Sequence, residues 1–198
     1  PDNPDTHEQW TGPEILAQMD GRMDAIVFGC GSSGTMTGLS RYFAREAPHV
    51  ELVLADPVGS ILTRYINEGV LDTKSGSWLV EGIGEDFVPA IADFALVKRA
   101  YRISDAESLH TARLLLKEEG VLAGSSSGTL LAAALKYCRE QTEPQRVVTL
   151  VCDTGGKYLT KMFNDMWVAA HGFEDRTRHG DLRDLIARDY AEGGVVTL

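Results

Sequence analysis

The stretch Val27-Phe28-Gly29-Cys30-Gly31-Ser32-Ser33-Gly34-Thr35-Met36-Thr37-Gly38 crowds glycines and hydroxyl side chains into one turn. Glycines let a backbone approach an anion closely and adopt positive φ, and the first N–H groups of a following helix point into such a turn. The hydroxyls of Ser32, Ser33 and Thr35 add further donors, so the natural guest is a phosphate. Gly29 to Gly34 also fits the spacing G-x-G-x-x-G, and Asp56 ends the next apolar run, where an acidic residue would meet a ribose. One reading is therefore a Rossmann-type, NAD-binding oxidoreductase domain. Against it, three hydroxyls crowd a turn that a dinucleotide motif keeps small and apolar, and Pro57 follows Asp56 directly. In the purely structural alternative the segment is a plain βα turn, with Asp56 capping the turn after it.

Two later stretches repeat the pattern. Val121-Leu122-Ala123 leads into Gly124-Ser125-Ser126-Ser127-Gly128-Thr129 and an alanine- and leucine-rich helix through Tyr137 and Cys138. Val147 to Cys152 reads as an uninterrupted apolar strand buried on both sheet faces, running into Asp153-Thr154-Gly155-Gly156 and another helix. Three turns after three strands of the same sense lie along the carboxyl edge of an open parallel sheet, where ligands bind. A dinucleotide leaves the serine run at Ser125 to Ser127 without a role. A monophosphate cofactor uses both hydroxyl turns, the phosphate in the first and a polar atom elsewhere on the ligand against a serine of the second.

The elements that position these turns follow from periodicity and punctuation. Ala25 to Phe28 is an apolar strand; Met36, Leu39 and Phe43 recur at helical spacing up to Glu46; Val50 to Ala55 is a second strand. Strand, helix and strand within some thirty residues form a βαβ unit with a parallel sheet. Upstream, Pro1 to Thr11 reads as loop and Gly12-Pro13 opens a short helix through Met19. Downstream, Gly59-Ser60 begins a helix stopped at Gly69, Gly82 to Pro89 is irregular, and Ala100 to Ile103 is a strand. Ser104 and Glu107 form a capping box for a helix closed by Gly120, and a last helix from Lys157 packs Tyr158, Leu159, Met162, Phe163, Met166 and Trp167 into the core. The fold class is α/β: a three-layer, mostly parallel twisted sheet with helices on both faces.

A chain of 198 residues with 43% hydrophobic and 24% charged residues has the composition of a soluble globular protein. Its net charge of −10 argues against nucleic acid or an anionic membrane surface as partner. The five histidines and three cysteines show no metal-ligand spacing, so no metal is expected, and an odd cysteine count without a pairing pattern points to a reducing compartment. No signal peptide or membrane-length apolar run appears, which favours the cytoplasm.

Gly31-Ser32-Ser33-Gly34-Thr35 resembles the G-T-G-G-T phosphate loop of pyridoxal-phosphate enzymes of the tryptophan-synthase-β fold. Asp56-Pro57-Val58-Gly59-Ser60-Ile61-Leu62, Val80-Glu81-Gly82-Ile83-Gly84 and Gly124-Ser125-Ser126-Ser127-Gly128 are similar, in the same order, to motifs of its cysteine synthase/cystathionine β-synthase family. The resemblance runs from Asn3 to about Phe173. It implies that Gly31, Ser32, Ser33, Gly34 and Thr35 hold the phosphate of pyridoxal 5'-phosphate and that Ser126 meets the pyridine nitrogen. A neutral hydroxyl does not hold that nitrogen protonated, which suits elimination and replacement at the β-carbon rather than transamination. Gly84 and Glu85 would flank small-molecule amino-acid substrates, L-serine or an activated serine and L-homocysteine, with cysteine synthase specificity as the alternative. The animal enzymes of the family carry tyrosine where this chain has Glu85, and proline is usual where it has Cys152.

The family's Schiff-base lysine and its carboxylate-binding loop lie upstream of the matched region. None of Lys74, Lys98, Lys117, Lys136, Lys157 and Lys161 follows a fitting motif. The resemblance thus implies that residues 1–173 are the C-terminal portion of a catalytic core, homodimeric as a full-length protein and inactive alone. Residues 174–198 would be a charged linker and the start of a regulatory module.

Overall fold

The computed structural model describes residues 2–173. The expected linker at 174–198 lies outside the described residues. Four parallel strands, β1 (Ala25–Phe28), β2 (Glu51–Pro57), β3 (Arg99–Ile103) and β4 (Val147–Thr149), form one sheet in the order β3-β2-β1-β4. Ala25 is in register with Glu51 on one side and with Val147 on the other.

β1 is buried along its whole length, and its alternating side chains divide the core. Ile26 and Phe28 join Leu52 and Leu54 beneath the helix α3 (Gly34–Glu46), packing on Met36, Leu39 and Phe43. Ala25 and Val27 join Val53 and Ala55 on the other face, against Leu130, Ala133 and Tyr137 of a helix spanning Ser125–Arg139. Each fully buried large side chain contributes about 1.5–3 kcal/mol, so both faces of this strand are held from both sides. The three-layer arrangement with helices on both faces follows from that period of two.

In chain order the helices are α1 (Asp2–Thr6), α2 (Gly12–Gln18), α3, α4 (Leu62–Glu68), α5 (Asp105–Glu119), α6 (Ser125–Arg139) and α7 (Asp165–Ala170). The capping box of α5 is present in both halves: Glu107 N donates to Ser104 Oγ at 3.2 Å, and Ser104 N donates to Glu107 Oε2 at 3.0 Å. Gly120 closes the helix at φ 70°. α6 lies tightly on α5, where Thr129 Oγ1 donates to Ser108 Oγ at 2.8 Å.

Four local expectations are corrected. Pro1 to Thr11 is not loop over its described part, since α1 continues into a π-helical turn at His7–Thr11. Glycine on α3 makes room for it: an added Cβ at Gly38 would fall 2.7 Å from His7 Cβ and 3.0 Å from Glu8 N. Val121 to Ala123 forms no strand, only a single antiparallel bridge from Ala123 to Thr154. Val147 to Cys152 pairs as a strand only to Thr149; it is half-buried at the sheet edge, and Val151 is exposed. The segment from Lys157 is a 3-10 turn (Gly155–Tyr158) and then α7, because Asn164 Oδ1 accepts from Met166 N and Trp167 N and starts a new helix. Tyr158 and Met162 are buried there, whereas Leu159 and Met166 face solvent.

Candidate cofactor site

The turn after β1 leaves hydrogen-bond donors without partners at the start of α3. Ser33 caps α3 at φ 70° and ψ −2°, a left-handed conformation that costs a non-glycine residue roughly 1–3 kcal/mol and concentrates at functional sites. Its side chain gives α3 no cap: Ser33 is 3% exposed, and its buried hydroxyl has no hydrogen-bond partner. The helix's first intrahelical acceptor is Ser33 O, which takes Thr37 N at 2.9 Å. The N–H groups of Gly34, Thr35 and Met36 therefore have no acceptor within the helix and join the positive end of its dipole. Gly31 brings the turn against the segment after Val80, where an added Cβ would fall 2.5 Å from Gly82 O. Gly84 N donates to Cys30 O at 2.9 Å and ties the two segments together.

A cavity of about 590 Å³ opens over this turn. Gly31, Ser32, Ser33, Gly34 and Thr35 all line it, and so does Ser126 from the first turn of α6. The two hydroxyl turns expected to share a ligand therefore do share a space. Gly84 and Glu85 stand immediately beyond the lining residues Glu81, Gly82 and Ile83. Glu85 is fixed through its backbone: its N donates to Ser60 Oγ at 3.1 Å, and its O accepts from Ile61 N at 3.1 Å. Burial, with the negative charges of Asp86 and Asp56, raises the Glu85 carboxyl above its ordinary value.

Asp56 does not line the cavity. It is 1% exposed, and its Oδ2 accepts from Thr63 N at 2.9 Å and from Thr63 Oγ1 at 2.8 Å. It is buried and caps the first turn of α4 through Thr63, as the structural alternative has it.

Several wall residues carried no signal in the sequence or an incomplete one. Cys152 is exposed on the wall rather than packed in the core; its N donates to Ser127 Oγ at 3.0 Å. Partial burial raises its thiol, and Ser126 and Ser127 offset part of that by hydrogen bonding. Asp153 accepts from Tyr158 Oη at 3.1 Å and pairs with Lys157 Nζ at 3.4 Å. Burial pushes the Tyr158 phenol up to about 12. Lys157, which follows no fitting motif in the sequence, reaches the wall from the 3-10 turn. His7 and Thr11 come from the stretch read as loop, where nothing in the residue pattern marks a site.

The profile of a family described as "Pyridoxal-phosphate dependent enzyme" matches residues 1–153. The chain belongs to this family. Among curated relatives of this pyridoxal-phosphate-dependent chain, cystathionine beta-synthase of Mus musculus is 39% identical over 171 residues, 86% of this chain and 30% of that protein. Cysteine synthase A of Escherichia coli K12 is 38% identical over 171 residues, 84% of this chain and 53% of that protein. The chain thus spans between about a third and a half of these relatives. Among solved structures, O-ureido-L-serine synthase superposes with a TM-score of 0.74 at 29% identity, over 84% of this chain and 54% of that one. An O-acetylserine dependent cystathionine beta-synthase from Helicobacter pylori superposes with a TM-score of 0.73 at 35% identity, over 81% and 50%. The fold is that of these synthases.

The residues present suit the family's cofactor. A phosphate needs donors with no prior engagement, and the Ser33 hydroxyl and the uncapped start of α3 are such donors. A pyridine nitrogen needs one polar group on another wall, and Ser126 lines the cavity from the other hydroxyl turn. Of the described residues, no helix is long and apolar enough to cross a membrane, and Cys30, Cys138 and Cys152 form no disulfide.

Proposed function

We infer that this chain is the C-terminal part of the catalytic core of a pyridoxal-phosphate-dependent β-replacement enzyme. The parent protein condenses L-serine, or an activated serine, with L-homocysteine to form cystathionine. The observation that carries this reading is the shared cavity of Gly31 to Thr35 and Ser126, with the buried Ser33 hydroxyl left without a partner.

Gly31, Ser32, Ser33, Gly34 and Thr35 hold the phosphate on backbone N–H groups and hydroxyls at the positive end of α3. Ser126 hydrogen-bonds the pyridine nitrogen without forcing a proton onto it. When bound, the cofactor supplies an electron sink for loss and replacement of the substrate's β-substituent, and a ring that is not held protonated favours that outcome over transamination. Gly84 keeps the neighbouring segment close: at φ 88°, an added Cβ would meet Trp78 at 2.9 Å. Glu85 borders the second-substrate side and makes it more acidic than a tyrosine would.

On this reading none of the six lysines in the chain is the cofactor's covalent partner; that group comes from another part of the full-length protein, which acts as a cytoplasmic homodimer. A cysteine synthase specificity remains the second reading, because relatives of both names match at nearly equal identity. The full-length protein separates the two when offered L-serine or O-acetylserine with L-homocysteine or sulfide, the products being resolved by mass. Cystathionine as the main product supports the first reading; cysteine alone moves the assignment to the second.

A further inference from the structure

Two residues of the N-terminal helical stretch hydrogen-bond the hydroxyls of the phosphate turn. Asn3 Nδ2 donates to Ser32 Oγ at 3.3 Å. His7 stands between two threonines, with Nδ1 3.0 Å from Thr11 Oγ1 and Nε2 3.1 Å from Thr35 Oγ1. His7, Thr11, Ser32 and Thr35 all line the cavity.

A neutral imidazole has one N–H and one bare nitrogen, so this row of groups has two possible polarities. In one, Thr35 donates to bare Nε2 and Nδ1–H donates to Thr11; the Thr35 oxygen then offers only lone pairs to the cavity. In the other, Thr11 donates to bare Nδ1 and Nε2–H donates to Thr35, which leaves the Thr35 proton free for the ligand. A phosphate dianion only accepts, so the first polarity sets lone pair against lone pair and the second completes a charge-assisted hydrogen bond. Partial burial lowers the imidazole's affinity for a second proton, which keeps the neutral ring and hence the choice. Asn3 acts in the same sense on Ser32, since a hydroxyl oxygen that already accepts from an amide turns its proton elsewhere.

We propose that His7 is a positioning residue that turns the Thr35 hydroxyl toward the bound phosphate, and that anion binding selects its Nε2–H tautomer. This inference rests on the phosphate assignment made under Proposed function. It concerns a residue outside the turn, on an element that the sequence pattern does not connect to it.

The test uses protein with 15N-labelled histidine and the probes inorganic phosphate, pyridoxal 5'-phosphate and pyridoxal. The ring-nitrogen shifts of His7 are expected to report bare Nδ1 and protonated Nε2 once phosphate or pyridoxal 5'-phosphate is bound. His7→Leu should weaken pyridoxal 5'-phosphate on the order of tenfold, the scale of one hydrogen bond to a charged group. Pyridoxal, which has no phosphate, should be affected little. His7→Gln, whose amide can still donate to Thr35, should recover most of the loss, and on a Thr35→Val background His7→Leu should have no further effect. Equal loss for pyridoxal and pyridoxal 5'-phosphate marks a general structural defect and overturns the proposal. So does a bound state with Nδ1–H or a doubly protonated ring. Wild-type protein that binds neither phosphate nor pyridoxal 5'-phosphate overturns the cofactor assignment itself, and this proposal with it; normal wild-type binding with indifferent His7 variants overturns this proposal alone.

Discussion

Ser126, in the first turn of α6, lines the same cavity as Ser33, which caps α3 with its hydroxyl buried and unpartnered. β1 is the element behind that meeting: α3 follows it and packs on one of its faces, and α6 packs on the other. Ser126→Ala removes one polar contact and no packing, and is expected to weaken pyridoxal 5'-phosphate by about 1 kcal/mol, roughly fivefold. Fluorescence titration measures it, and unchanged affinity would remove Ser126 from the site.

Gly31→Ala should be the most damaging change in the phosphate turn, because its Cβ would fall 2.5 Å from the carbonyl oxygen of Gly82, a backbone atom. Either the turn or the Glu81 to Ile83 wall must move, and overpacking of this kind costs about 1–3 kcal/mol. Lower thermal stability together with lost phosphate binding is expected. Gly34→Ala meets the end of the Asn3 side chain instead and should be milder.

Much of this was legible beforehand because the signals were local. The capping box at Ser104 and Glu107, the apolar period of α3 and the glycine turn each sit within a few residues, and each appears where the pattern put it. What was not legible depends on distant partners. Whether Val147 to Cys152 is central or at the edge depends on how many strands lie beside it, and among the described residues only β1 does. His7 enters the site because Gly34 and Gly38 leave a groove on α3, and no spacing within residues 1–11 announces that. Asp56 was ambiguous between ribose ligand and cap until Thr63 came within 2.8 Å.

Asp56 gives a pH prediction of definite sign. Burial raises its folded-state pKa above the ordinary 3.8, outweighing the hydrogen bonds from Ser60 and Thr63 and the attraction of Arg102. The folded form therefore binds the proton more tightly than the unfolded form, and this residue's contribution to stability falls as pH rises from about 3.8 toward the raised value. Asp56→Asn keeps an acceptor for Thr63 and removes the desolvated charge. Melting temperatures should show the variant at least as stable as wild type at pH 7, with a flatter profile just above pH 4; a strongly destabilised variant with an unchanged profile would contradict this.

The cysteines should separate by reactivity. Cys30 is buried, and burial with the charges of Glu85 and Asp56 pushes its thiol up to about 12, so it should stay unalkylated in the folded protein. Cys152 is exposed on the cavity wall with a raised pKa, so iodoacetamide should label it slowly at neutral pH and faster as pH rises. Pyridoxal 5'-phosphate should protect it. Mass mapping of labelled peptides decides, and labelling of Cys152 indifferent to the cofactor would place the ligand elsewhere.

Lys157 is the lysine to examine for a covalent role, since it lines the cavity while paired with Asp153. Borohydride reduction after incubation of the 198-residue chain with pyridoxal 5'-phosphate should leave Lys157 unmodified at stoichiometric cofactor. Full modification at Lys157 would overturn the view that the covalent partner lies outside this chain.

The most direct test is an equilibrium titration of the protein with pyridoxal 5'-phosphate, pyridoxal and NAD, followed by fluorescence and thermal stability. Saturable one-to-one binding of pyridoxal 5'-phosphate, displaced by inorganic phosphate and weakened by Ser126→Ala, with no response to NAD, is the predicted result. Stabilisation by NAD without any binding of pyridoxal 5'-phosphate would contradict it.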